Sequence, residues 1–196
     1  EVQPRLRGRA FLIRYADDFV IGFTSEEDAR RVMAVLPKRF GKYGLTLHPE
    51  KTRLVSFRRP PQRPVYGGRP GAERPGTFDL LGFTHYWGRT RKGWWVVKQK
   101  TAASRFTRAL RTIAHWCRQN RHRPISEQHD TLSQKLHGHF AYYGVTGNSF
   151  ALSRFRSEVQ RIWRKWLGRR HGRHRYSWSR FQRLKARYSL PMAVVV

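Results

Sequence analysis

Two adjacent carboxylates, Asp17 and Asp18, sit between two runs of strand-forming residues, Phe11-Leu12-Ile13-Arg14-Tyr15-Ala16 before them and Phe19-Val20-Ile21-Gly22-Phe23 after. Phe, Ile, Val and Tyr suit a pleated, half-buried surface, so the segment reads as a tight β-hairpin with the acids at its turn. An apolar hairpin has no structural use for two neighbouring negative charges. They repel each other, and a cation relieves the repulsion. A divalent metal does so, and hard oxygen ligands suit Mg²⁺. Carboxylate-bridged metals are a standard device for phosphoryl transfer at a polynucleotide end. The plain alternative is a solvated Asp-Asp turn. The apolar flanks and the very basic chain around the pair favour the metal.

The elements that must hold this hairpin follow it in the chain. Ser25 with Glu26, Glu27 and Asp28 marks a helix start, a hydroxyl cap followed by acids in the first turn. Ala29, Val32, Met33, Leu36 and Phe40 continue at helical spacing, and Pro37 predicts a kink or an end near Leu36. Leu45-Thr46-Leu47 and Arg53-Leu54-Val55-Ser56-Phe57 read as strands on either side of a Pro49–Thr52 turn that carries Lys51. Residues 58–77 are rich in Pro and Gly and read as a loop. Strand character resumes over Phe78–His85, with Gly93–Val97 as its hairpin partner across the basic Arg89–Lys92 segment.

From Thr101 the period becomes helical. Phe106, Leu110, Ile113 and Cys117 share one face, with Arg108, Arg111 and Arg118 away from it. After Pro124, Ser126 and Glu127 suggest a second start, followed by Leu132, Leu136, Phe140 and Tyr143, and Gly144 ends the pattern. A third helix starts near Asn148 or Ser149, with Phe155, Val159, Ile162 and Trp166 expected inward. Three amphipathic helices with short joints imply a small bundle. Beyond it lies an arginine-rich tail, in which Trp178, Phe181 and Leu184 are spaced for one more short helix.

Charge narrows the partner. The 196 residues carry a formal net charge of +29, and beyond position 80 only Glu127, Asp130 and Glu158 are acidic. Such a field favours a polyanion. Arg outnumbers Lys, and seven Trp and eight Tyr are interleaved with it, a combination suited to forked phosphate contacts and base stacking. A solvated charged face or an anionic membrane surface is the alternative. No apolar run approaches the roughly 18 residues of a membrane span. The single Cys117 excludes a disulfide framework and a Cys-rich zinc site. His171-Gly172-Arg173-His174 is the densest histidine cluster, but arginines surround it and no acid or Cys lies near.

Tyr15-Ala16-Asp17-Asp18 (a YADD motif) resembles the active-site hairpin of reverse transcriptases, and the wider pattern resembles the group II intron-encoded reverse transcriptase/maturase family. Gly44–Thr52 resembles the palm segment that follows that hairpin, Phe78–Phe83 the primer-grip hairpin, and His139-Phe140-Ala141-Tyr142-Tyr143-Gly144 a segment of the thumb or X domain. The resemblance implies an α+β fold: the C-terminal part of a polymerase palm, with antiparallel strands and a packed helix, followed by a three-helix thumb bundle. It implies palm over 1–57, a Pro/Gly-rich loop over 58–77, primer-grip-like strands over 78–100, a maturase-specific domain over 101–168 and a basic tail over 169–196.

By the same resemblance the activity is that of an RNA-directed DNA polymerase, a nucleotidyltransferase. Asp17 and Asp18 hold Mg²⁺, and Lys51 stands near the leaving pyrophosphate. Tyr15, Ala16, Leu81, Gly82 and Phe83 line primer and nucleotide, and Arg108, Arg111, Arg161, Arg164 and Lys165 contact RNA. Implied partners are intron RNA, an RNA template, a DNA primer and dNTPs, with no membrane. The implied setting is the bacterial cytoplasm, in association with the nucleoid or a ribonucleoprotein. The chain lacks an initial Met and opens on Arg5, Arg7 and Arg9, so it reads as a segment of a longer protein. The family's third metal-binding Asp and its fingers lie upstream, so this segment is expected to be inactive alone. Two alternatives stand beside this reading. One is an RNA-binding maturase remnant without polymerase activity, the other a retron- or CRISPR-associated reverse transcriptase.

Overall fold

The apolar runs around the acids pair as expected. In the computed structural model, which describes residues 5–62, 75–170 and 177–195, β1 (Ala10–Tyr15) and β2 (Asp18–Phe23) lie antiparallel, in register from Tyr15↔Asp18 to Ala10↔Phe23. α1 (Glu26–Gly41) follows. Ser25 caps it by accepting from the Asp28 N–H at 3.3 Å, and Glu26, Glu27 and Asp28 complement the positive end of its dipole. Asp28 is buried and its Oδ2 accepts the Gly8 N–H at 2.8 Å. That bond ties the basic lead to the helix start, and the Arg7–Glu27 pair at 3.0 Å reinforces it. At the other end Phe40 stacks on Phe19 of β2, 5.9 Å between centroids.

Pro37 neither ends nor replaces the helix, which runs on to Gly41. Proline deletes one ladder bond, and the carbonyl it orphans belongs to Met33, an exposed residue that water reaches. The strands expected at Leu45–Leu47 and Arg53–Phe57 do not form. The second segment instead runs alongside the next sheet, held by side chains. The Trp87 indole N–H donates to Phe57 O at 3.1 Å, the Trp95 indole N–H to Pro61 O at 3.0 Å, and Gln62 to Gly93 O at 3.0 Å. The Phe57 ring packs on Phe78 and Trp87. Its alternation marked a packing face. Pro60 and Pro61, which lack N–H groups, stop any ladder from continuing past Arg59. Residues 63–74 of the expected loop lie outside the described residues.

The stretch expected as one strand over Phe78–His85 is two. β3 (Phe78–Leu80) turns through Leu81 and Gly82 into β4 (Phe83–Arg89), and β5 (Trp95–Thr101) completes a sheet of order β3-β4-β5. Leu81 and Gly82 both have positive φ, 51° and 79°. That is the type I′ pattern, which suits the twist of a two-residue hairpin.

The chain divides into two compact units: residues up to Leu81 with His85–Val97, and Gly82–Thr84 with the chain from Lys98 onward. The second unit is built on α2 (Ala103–Gln119), α3 (Ile125–Tyr143), α4 (Ser149–Leu167) and α5 (Trp178–Arg187). Its core joins Ile113 and Cys117 to Leu132, Leu136 and Phe140, then to Leu152, Phe155, Val159, Trp163 and Leu167, and finally to Phe181, Leu184 and Leu190. On α4 the inward face differs from the expected one. Trp163 is fully buried, while Ile162 and Trp166 are only half-buried. The reason is polar: the Trp163 indole N–H donates to Gln128 Oε1 at 3.0 Å, and a buried indole needs such a partner.

Gln128 in turn donates through Nε2 to Arg121 O and Arg123 O, at 3.2 and 2.8 Å, and so fixes the joint between α2 and α3. Buried Asn148 does the same for the start of α2. Its Oδ1 accepts the Thr101 N–H, and its Nδ2 donates to Thr101 Oγ1 and Tyr143 O. Arg156 donates to Leu190 O and Pro191 O and ties down the chain end.

Candidate metal centre and nucleic-acid interface

The hairpin loop between Tyr15 and Asp18 has only two residues, Ala16 and Asp17. Ala16 has a φ of 49°, a left-handed value that costs an L-residue roughly 1–2 kcal/mol. Arg14 offsets it by donating through Nε to Ala16 O at 2.9 Å. The turn therefore fixes Asp17 at its tip and Asp18 as the first residue of β2. Both are exposed, and neither has a hydrogen-bond or ion-pair partner among the described residues. The nearby guanidinium of Arg14 serves the turn carbonyl. Two hard oxygen donors with no competing cation fit a divalent metal. Among the described residues no group of three or more His, Cys, Asp or Glu gathers, so the two carboxylates by themselves do not complete a coordination shell. Tyr15 beside it is exposed, as are Phe11, Leu12 and Ile13 along β1.

Lys51 lies in a separate exposed turn, closed by the N–H groups of Lys51 and Thr52 on His48 O. It makes no hydrogen bond or ion pair with Asp17 or Asp18. The β3–β4 turn places Leu81 and Gly82 on backbone that only glycine adopts freely. A Cβ on Gly82 would stand 2.9 Å from the Tyr143 hydroxyl. Phe83 is buried and packs on Tyr142 and Tyr143, at 6.1 and 5.2 Å between centroids. Its ring serves packing, so at this turn the backbone is what a ligand could meet.

The basic residues of the helical unit divide by what they touch. Arg108 and Arg111 are exposed on α2, away from Ile113 and Cys117. Arg161 is exposed and pairs with Glu158 at 2.8 Å, and Lys165 is exposed. Arg164 differs from them. It is half-buried, with its guanidinium 4.5 Å from the Trp178 ring centroid, so it links α4 to α5. Sequence reading placed Arg118 on the outward face of its helix but did not single out Arg118, Arg121 and Arg169 as a group; they converge around Trp166. Their types carried the signal, but the contact crosses from the end of α2 to the end of α4. The residues His171–His174 lie outside the described ones.

Burial disfavours the charged forms of two groups in the helical unit. Burial pushes the Cys117 thiol up to about 12, and burial takes His139 down to about 4. No helix among the described residues is long and apolar enough to cross a membrane.

The family model described as reverse transcriptase (RNA-dependent DNA polymerase) matches residues 1–85, and that of the group II intron, maturase-specific domain, matches residues 106–187. No curated protein matches the chain. The first match takes in the Asp-Asp hairpin and marks an RNA-directed DNA polymerase, an enzyme class that works with divalent metal ions on nucleic acid. The second takes in α3, α4 and most of α2, and favours an intron lineage over other reverse transcriptases. With the two matches in this order over most of its length, the chain belongs to the group II intron reverse transcriptase/maturase family.

Proposed function

We propose that Asp17 and Asp18 hold Mg²⁺ for DNA synthesis on an RNA template, and that the helical unit grips intron RNA to aid its splicing and mobility. The observation that carries the first half is the pair of exposed carboxylates, without a partner among the described residues, held at the tip and the β2 start of a two-residue hairpin. Bound there, the metal would help ionise the primer 3′-hydroxyl and neutralise charge on the leaving pyrophosphate. In this reading Tyr15 and Ala16 border the primer end and the dNTP. Lys51 brings positive charge towards the pyrophosphate, and the Leu81–Gly82 backbone supports the primer, with Phe83 bracing the turn from within. Arg108, Arg111, Arg161 and Lys165 contact RNA phosphates, and Arg164 shapes that surface through Trp178. The proposed setting is a bacterial cytoplasmic ribonucleoprotein.

The test separates chemistry from binding. In any form of the protein that extends a DNA primer on an RNA template, Asp17→Asn abolishes Mg²⁺-dependent extension and leaves RNA affinity within about twofold, since an exposed turn residue carries little fold stability. Extension at the parental rate by the Asp17 variant would overturn the metal assignment.

A further inference from the structure

A cleft of about 450 Å³ opens between the ends of α2 and α4, lined by Arg118, Arg121, Trp166 and Arg169. That volume lies within the range of roughly 300–1,000 Å³ typical of small-ligand sites. Cations do gather at helix C-termini to meet the carbonyl ends, and Arg121 donates to Arg118 O at 2.9 Å in this way. One such bond does not account for three guanidinium groups around one indole. Among the described residues none of the three has a carboxylate partner. The acids of this unit are engaged elsewhere: Glu158 with Arg161, Asp130 with His129, and Glu127 with Arg123. Like charges thus converge without a counter-ion, an arrangement an entering anion relieves.

The cleft also has an aromatic wall and a rigid frame. The Arg169 guanidinium lies 4.9 Å from the Trp166 ring centroid, a layered surface of the kind on which bases stack. The loop carrying Arg121 is clamped twice. Arg170 donates to His122 O and Arg123 O at 3.0 and 2.7 Å, and buried Gln128 donates to Arg121 O and Arg123 O. Such a frame fixes the backbone from which Arg121 projects before a ligand arrives.

We infer that this cleft binds one unpaired nucleotide of an RNA strand, with its phosphate on Arg118 and Arg121 and its base against the Trp166–Arg169 stack. The inference rests on the RNA-binding reading above and adds a defined site to it. Guanidinium forks match phosphate geometry. A base already stacked inside a duplex has no free face to offer, so the site selects single-stranded segments.

The experiment is anisotropy titration of the full chain with a short unstructured RNA and a duplex RNA of equal length, at several salt concentrations. Arg118→Gln with Arg121→Gln should lower affinity for the single strand by about tenfold or more. It should also reduce the log–log salt slope by about 1.4, two contacts at ~0.7 each. Trp166→Ala should cost about tenfold on the single strand and little on the duplex. Trp166→Tyr should retain most of the affinity, which separates lost stacking from lost folding. A 4-thiouridine oligonucleotide should photocrosslink to the Trp166–Arg169 segment of the unaltered chain. Equal losses on both RNAs, or crosslinks that map elsewhere, would overturn the site. If the unaltered chain bound neither RNA, the RNA-binding reading itself would fall. If it bound both and the variants bound equally well, only the cleft would.

Discussion

Gln128 and Trp163 show where single residues decide the fold. Helical spacing on α4 permits either Ile162 or Trp163 to face inward, because they follow buried Val159 by three and four residues and flank the same stripe from opposite sides. An amide 35 residues away in the chain settles the choice. No local pattern could announce that partner, and a buried Gln reads in sequence as a surface residue. The carboxylates at the hairpin were legible for the opposite reason: their oddity is local, two charges inside an apolar run.

Gln128→Ala should destabilise the helical unit by about 2–4 kcal/mol, because it orphans the buried indole N–H and removes the tie to two loop carbonyls. Trp163→Phe should cost less. In urea unfolding, the double variant should fall short of the sum of the two. Strict additivity would mean that the 3.0 Å bond contributes nothing. His139 gives a pH dependence. Its ring stacks on Phe155 at 3.7 Å, and burial lowers its pKa from 6.5 to about 4. Between those values the unfolded chain binds a proton that the folded chain does not. Stability is therefore intact above about pH 6.5 and declines as pH falls towards 4. The urea midpoint should drop between pH 7 and pH 4.5, and His139→Phe should flatten that drop.

Elements were legible where a cap or a period marked them, and less so where their partners were distant. The Ser25 cap and the acids behind it announced α1 correctly, whereas of the kink or end suggested by Pro37 the end does not occur. A single lost bond is tolerable once the rest of the ladder is anchored, here by buried Asp28, Ala29 and Val32 and by the Phe19–Phe40 stack. The segment Arg53–Phe57 has strand-like residues but no strand, since a ladder needs a partner with free N–H and C=O groups as well as a pattern. The hairpin turn invites a test at this scale. Ala16 holds a positive φ that glycine adopts without penalty. Ala16→Gly should raise the thermal midpoint, by up to about 1 kcal/mol of added stability. Ala16→Val should lower it, because a branched Cβ is worse still in that region. The opposite order would show that the turn relaxes out of the left-handed conformation in solution.

At the scale of the whole molecule, the net charge of +29 is the property that composition alone reveals, and it predicts binding to a polyanion without saying through which residues. The structure sorts those residues. Arg156 and Arg170 donate to backbone carbonyls, Arg164 packs on Trp178, and Arg161 is exposed beside Glu158. Arg108, Arg111 and Lys165 remain as exposed cations on helix faces turned from the core. Replacing Arg108, Arg111, Arg161 and Lys165 together by Gln should lower the slope of log affinity against log salt by up to about 3, at ~0.7 per single-stranded contact. The thermal midpoint should stay nearly unchanged, because these side chains carry little packing. Arg164→Gln should behave in reverse, lowering the midpoint through the lost contact with Trp178 while changing the salt slope by less than one contact. Asp17→Asn should alter neither quantity. The measurements are RNA binding at four or more salt concentrations and a melting curve for each protein. A salt slope unmoved by the fourfold replacement would mean that the positive field acts as a diffuse whole, with no defined phosphate contacts on these helix faces.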